Sequence, residues 1–138
     1  MYIAERCPDL DSNKAHILGL LHDIGRRVGI VSLRHIWEGY QYAMHSGWDE
    51  AAKICLTHSF PTQKIHEDVQ KDDLTDSERE HIVNFLNQIT YDDYDKLIIL
   101  CDSLATAEGF CLLEKRWVDV SLRYGFSPFT IKRWEKTL

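Results

Sequence analysis

What this chain has little of narrows its class before any motif is considered. No apolar run approaches the roughly 20 residues needed to cross a bilayer, and the start, Met1-Tyr-Ile-Ala-Glu-Arg6, lacks the basic flank and apolar block of a secretory leader. The four cysteines, Cys7, Cys55, Cys101 and Cys111, include no C-x-x-C spacing, and three of them sit inside apolar runs. A disulfide framework is therefore not expected; reduced, mostly buried thiols in a cytoplasmic protein are. Basic residues are outnumbered 16 to 22, for a net charge of -6. Coating a nucleic-acid polymer needs a basic face, so the charge balance argues against that class. It does not exclude a nucleotide substrate, because a bound metal can supply positive charge locally.

Strand alternation, internal repeats and low-complexity segments are also missing. What remains is a chain of 138 residues, 44% hydrophobic and 28% charged. That length predicts one domain with a respectable core, and the periodicity predicts six or seven helices, hence an all-α class.

Met1 to Arg6 reads as the last turns of a helix ending before Pro8. From about Asn13 the period is helical through Arg27, until Gly25 and Gly29 break it. Ser32 is a candidate N-cap for a helix over 33–45 with Ile36, Tyr40, Ala43 and Met44 on its apolar side. Ala51 to His58 is a short apolar helix stopped by Ser59-Phe60-Pro61, which leaves His58 at a helix C-terminus. Thr62 to Ser77 is polar and acidic and reads as an exposed loop with room for one short turn of helix, either a lid or a solvated insertion.

Thr75 to Glu78 offers caps for an amphipathic helix over 80–89, with Ile82, Val83, Phe85, Leu86 and Ile89 inward. Asp92, Asp93 and Asp95 read as first-turn acids on a solvated helix end. The helix they begin continues as Leu97-Ile-Ile-Leu-Cys-Asp-Ser-Leu-Ala-Thr-Ala107, with Asp102 in its apolar middle. Phe110 to Tyr124 and Thr130 to Leu138 complete the helices, with Trp134 expected to pack.

The stretch Ala15-His-Ile-Leu-Gly-Leu-Leu-His-Asp-Ile-Gly-Arg26 stands out. It is an apolar helix that ends in an adjacent imidazole and carboxylate, His22 and Asp23. Two readings are open: Asp23 pairs with Arg26 or Arg27 at the helix surface, or both side chains face a divalent cation. Asp102 poses the same choice, since a lone carboxylate in an apolar helix needs a cation, a set of donors or a metal. His22, Asp23, His35, His58 and Asp102 are nitrogen and oxygen donors spread over several helix ends, a pattern suited to a metal site in a helical bundle. No spacing among them is diagnostic by itself.

Gly19-Leu-Leu-His-Asp-Ile-Gly-Arg26 resembles the signature of the HD superfamily of metal-dependent phosphohydrolases, compact helical bundles named for the His-Asp pair. His22 and Asp23 match that pair, and Asp102 in Leu-Cys-Asp-Ser-Leu matches the family's distant aspartate. His35 in Arg-His-Ile-Trp-Glu-Gly39 and His58 in Ile-Cys-Leu-Thr-His58 are similar to two further histidines that allow a second metal. The likeness runs from about Tyr2 to Ala107. One departure stands at the N-terminus: the family's first histidine lies on an upstream helix, and His16, six residues before His22, is too close to replace it. The expectation is thus a single HD-type domain over 1–138 without that helix.

The resemblance implies one or two divalent ions held by His22, Asp23, His35, His58 and Asp102, with iron, manganese, magnesium, zinc, cobalt and nickel all compatible. It implies hydrolysis of a small phosphomonoester or phosphodiester, nucleotides included, by a metal-activated water. Asp23 is the candidate catalytic carboxylate. Arg26 is either a phosphate contact or a solvent-exposed helix-end cation. The alternative is a degenerate HD module that binds a nucleotide or a partner without hydrolysing it. Trp37, Trp48, Trp117 and Trp134 offer more aromatic surface than a small core needs, which leaves room for a homo-oligomer.

Overall fold

Helix α1 begins where the Asp11 carboxylate accepts hydrogen bonds from the Asn13 and Lys14 amides, at 2.8 and 3.0 Å, an N-cap that satisfies two otherwise orphaned donors. In the computed structural model, which describes residues 2–69 and 72–138, α1 spans Ser12–Leu21. The helical period predicts continuation to Arg27, but the chain leaves the α-helix after Leu21 and tightens into a 3-10 turn over Ile24–Val28. Gly25 shows why. A Cβ at that position would lie 1.8 Å from the His35 carbonyl oxygen and 2.5 Å from the Gly39 amide nitrogen. The turn therefore packs backbone to backbone on α2, Arg34–His45, and only glycine permits that approach.

The cap of α2 comes from a distant segment. Ser32 does not supply it; the Asp73 carboxylate accepts from the Ser32 and Arg34 amides at 2.8 and 2.7 Å. Gly47, with φ of +72°, turns the chain into α3, Asp49–Thr57. A four-residue α4 follows, Ile65–Asp68. Reciprocal capping boxes, Thr75 with Glu78 and Asp92 with Asp95, open α5, Asp76–Gln88, and α6, Asp93–Ser103.

Beyond α6 the predicted helix over Leu104–Ala107 is absent. Ala105–Thr106 (β1) pairs antiparallel with Gly109–Phe110 (β2), and Gly109 takes a φ of +123° at the turn. Two helices, α7 at Leu113–Tyr124 and α8 at Thr130–Thr137, end the chain. The described residues thus form eight α-helices and one two-stranded sheet, a mostly helical fold. No helix among them is long and apolar enough to cross a membrane.

Helix α2 divides the core. On one side Leu33 and Ile36 join Leu56, Phe60, Ile65, Leu74, Ile82 and Leu86; on the other Ala43 meets Leu18, Ala51, Ala52, Ile54 and Ile98. Ile65 and Leu74 belong to the core because the 62–77 segment is not the exposed loop its polarity predicts: Ile65, Glu67, Asp68 and Leu74 are all buried. Met44 and Val83, expected inward, are exposed.

Asp95 likewise departs from the solvated role read from sequence. It is completely buried, accepting from Thr57 Oγ1 at 2.7 Å and from the Asp92 amide at 2.8 Å, with Lys53 Nζ at 2.6 Å. A buried carboxylate is tolerable only with such a full set of partners. It ties the N-terminus of α6 to the C-terminus of α3. The four thiols are free, but Cys55 alone is fully buried and the other three are half-buried.

Candidate metal centre

Five of the side chains singled out from sequence come together at the ends of four helices. His22 is the C-cap of α1, and Asp23 follows it into the 3-10 turn. His35 lies in the first turn of α2, His58 is the C-cap of α3, and Asp102 sits in the last turn of α6 rather than in mid-helix. Asp23 Oδ1 is 3.2 Å from His35 Nε2 and 3.6 Å from His58 Nε2. His22 Nε2 lies 3.8 Å from Asp23 Oδ2 and 3.7 Å from Asp102 Oδ1. The His35 and His58 Nε2 atoms are 3.4 Å apart.

The far side of each imidazole fixes what the near side can do. His22 Nδ1 is 2.7 Å from the Gly19 carbonyl oxygen, His35 Nδ1 bonds the Ser32 carbonyl, and His58 Nδ1 is 3.0 Å from the Cys55 carbonyl. A carbonyl only accepts, so each Nδ1 carries the proton and donates, which leaves each neutral ring with an Nε2 lone pair facing inward. Orientation of a ligating imidazole by a backbone carbonyl is the usual supporting arrangement at metal sites. Three Nε2 atoms and a carboxylate then converge with no donor on the buried Asp23 Oδ1, which has no hydrogen-bond partner. Acceptors so arranged are satisfied by a cation between them or by a proton on one of the rings.

His22, Asp23 and His58 each offer a ligand atom within 4.8 Å of the others, so these three could hold a metal ion. His35 extends the group through its contacts with Asp23 and His58, and Asp102 extends it through His22. The charge states of Asp23 and His35 suit ligation. Burial opposes ionisation of Asp23, but its facing partners, with the Arg26 guanidinium donating to Oδ2, outweigh it and hold the carboxyl well below its usual range. Burial, which outweighs the Ser32 carbonyl, pushes His35 down to about 4, so its ring stays neutral near pH 7. His22 moves the other way: burial is outweighed by the Asp102 carboxylate and the Gly19 carbonyl. Asp102 is lowered in turn, chiefly by His22 against the cost of burial.

Cys55 is no ligand. Burial pushes its thiol up to about 12, and Sγ donates to the Leu21 carbonyl at 3.4 Å. His16 is exposed on α1. Arg26 Nε donates to Asp23 Oδ2 at 2.6 Å, and its side chain is 53% exposed.

The cluster opens into a cleft of about 680 Å³ whose wall includes Arg26, His35, His58 and Asp102. The opposite wall comes from α7 and α8 and includes Arg116, Trp117, Arg123 and Trp134. Sequence reasoning assigned Trp134 to packing and gave Trp117 and the arginines of α7 no role in a site. The available signal was the arginines' i, i+7 spacing on an amphipathic helix, which places both on one face. No protein-family model, no curated protein and no solved structure matches this chain.

Proposed function

We propose that the protein is a metal-dependent phosphohydrolase of the HD type, acting on a small phosphomonoester or phosphodiester, nucleotides included. The observation that carries this reading is the convergence of three Nε2 atoms on the orphaned Asp23 Oδ1, beside a cleft lined by His35, His58, Asp102 and four arginines. His22, Asp23 and His58 would hold a divalent ion, with His35 and Asp102 completing its shell or that of a second ion. Such an ion lowers the pKa of bound water and offsets phosphate charge. The donor set of imidazoles and carboxylates accommodates iron, manganese, zinc, cobalt, nickel or magnesium.

The chain's own residues divide the remaining work. Asp23 and Asp102 keep their charge at neutral pH because neighbouring rings and Arg26 favour the ionised forms. The carbonyls of Gly19, Ser32 and Cys55 hold the imidazoles in the tautomer that ligation requires. Arg26 uses Nε on Asp23 and keeps its other N-H donors for a phosphate oxygen in the cleft. Four free thiols fit a reducing, cytoplasmic setting.

A specific contact favours a second reading, an HD-type module that binds a nucleotide without hydrolysis. Arg26 Nε occupies Asp23 Oδ2, the carboxylate oxygen nearer His22, and leaves that carboxylate one oxygen for a metal. Elemental analysis of protein purified without chelator separates the readings when joined to turnover of 4-nitrophenyl phosphate and bis(4-nitrophenyl) phosphate. Stoichiometric metal with turnover, both lost in His22→Ala and Asp102→Ala, is the expected result. Stoichiometric metal without turnover selects the binding module, and metal-free protein after reconstitution overturns the metal centre altogether.

A further inference from the structure

We propose that α7 carries a second oxyanion subsite, Arg116 with Arg123, which takes a further phosphate of a substrate whose first phosphate lies at the His-Asp cluster. The proposal rests on the reading of the cleft as a phosphate-ester site and names what its far wall recognises. Four of the chain's eight arginines line this cleft, Arg26, Arg116, Arg123 and Arg133, and among the described residues no lysine does. In an acidic chain with as many lysines as arginines, that selection points to planar, bidentate recognition rather than to general positive charge.

The four guanidinium groups are not equally free. Arg26 is engaged by Asp23. Arg133 lies 3.2 Å from the buried Asp68, and beside it Lys132 lies 2.6 Å from the buried Glu67, so this pair fastens α8 to α4. Arg116 and Arg123 share a single carboxylate instead: Asp119 Oδ2 accepts from Arg116 Nη1 at 3.4 Å and from Arg123 Nη2 at 2.5 Å. Two charges against one leave an excess of one positive charge on this stripe. Each guanidinium has five N-H donors, so one shared oxygen leaves most of them for a ligand.

Pre-organisation completes the case. Arg116 and Arg123 stand two turns apart on one helical face, roughly 10 Å along the axis, with Asp119 between them as a common brace. Trp117, beside Arg116, stacks on Trp134 of α8 with ring centroids 4.9 Å apart and planes 5° from parallel. That stack sets α7 against α8, and both arginines line the cleft beside it. A volume of about 680 Å³ accommodates a molecule of nucleotide size between the two walls.

The test measures equilibrium binding of adenosine 3′,5′-bisphosphate and adenosine 5′-monophosphate by titration calorimetry in low salt. The wild type should bind the bisphosphate at least about tenfold more tightly, the usual worth of an added charge-assisted pair. In the Arg116→Gln/Arg123→Gln variant that preference should vanish while affinity for the monophosphate stays as it was. Arg123→Gln alone, at a half-exposed position that packing does not depend on, should lose part of it. A wild type without preference overturns the subsite, as does a variant that weakens both nucleotides equally. Turnover of 4-nitrophenyl phosphate, which has one phosphate, reads the hydrolytic function separately: the variants should leave it unchanged, and its absence in the wild type would reject hydrolysis without touching the binding comparison.

Discussion

Asp23 is half-buried and Asp68 buried, and their surroundings drive the two carboxylates in opposite directions. Asp23 faces imidazoles and Arg26 and is held ionised. Asp68 is dominated by burial, which raises it from 3.8 to about 6 despite hydrogen bonds from Thr62 and the charge of Arg133. A carboxyl whose folded pKa lies above its unfolded one favours the folded state fully below the unfolded pKa, and that contribution is lost as pH rises through the folded pKa. For Asp68 the loss spans pH 4 to 6 and amounts to roughly 3 kcal/mol. Asp68→Asn removes the titration. Its stability relative to wild type, from urea denaturation at pH 4.5 and 7.5, should therefore improve at the higher pH by about 1–3 kcal/mol. Parallel curves would mean that Arg133 keeps Asp68 ionised throughout. His22 and Asp23 were legible in the sequence because they are adjacent and end an apolar helix. Asp68 and Asp95 were not, since each sits in a polar run and is buried by segments distant in the chain.

At the level of elements, caps and apolar periodicity located seven of the helices within a few residues, while tertiary contacts decided where several of them stop. The early end of α1 is the functional case. Gly25 meets the His35 carbonyl and the Gly39 amide, both rigid backbone, and the turn that results aims Asp23 at His35 and His58. Gly25→Ala should cost at least about 1–3 kcal/mol, as overpacking does, and should also reduce metal content, because Asp23 leads into the displaced turn. Gly39→Ala is the comparison: its nearest neighbour is the Cys55 side chain, with Sγ at 3.0 Å, which can yield. Thermal melts and metal analysis of both variants check this, and equal effects from the two would show that the backbone contact at Gly25 is unimportant. The hairpin after α6 escaped the sequence reading because its strands are two residues each, too short to show alternation.

Across the whole molecule, the apolar interior and the candidate metal centre belong to the same set of elements, while α7 and α8 bury no residue fully. The last two helices are held instead by the Lys132–Glu67 and Arg133–Asp68 pairs and the Trp117–Trp134 stack. Elements with few buried contacts open at lower free energy than a core, and ligand-binding walls are drawn from that end of the scale. Native-state hydrogen exchange should therefore show α7 and α8 amides opening before those of α2, α3 and α6. Raising salt to 1 M shortens the screening length to about 3 Å, which should speed exchange in α8 and leave the core unchanged. A divalent ion at 100 times its dissociation constant should do the reverse. It stabilises the elements that contribute its ligands by about 2.7 kcal/mol, slowing exchange in the core while α8 opens as before. Slowing in α7 and α8 by the same factor would show that the molecule opens as one unit, with the far wall of the cleft bound into the core after all.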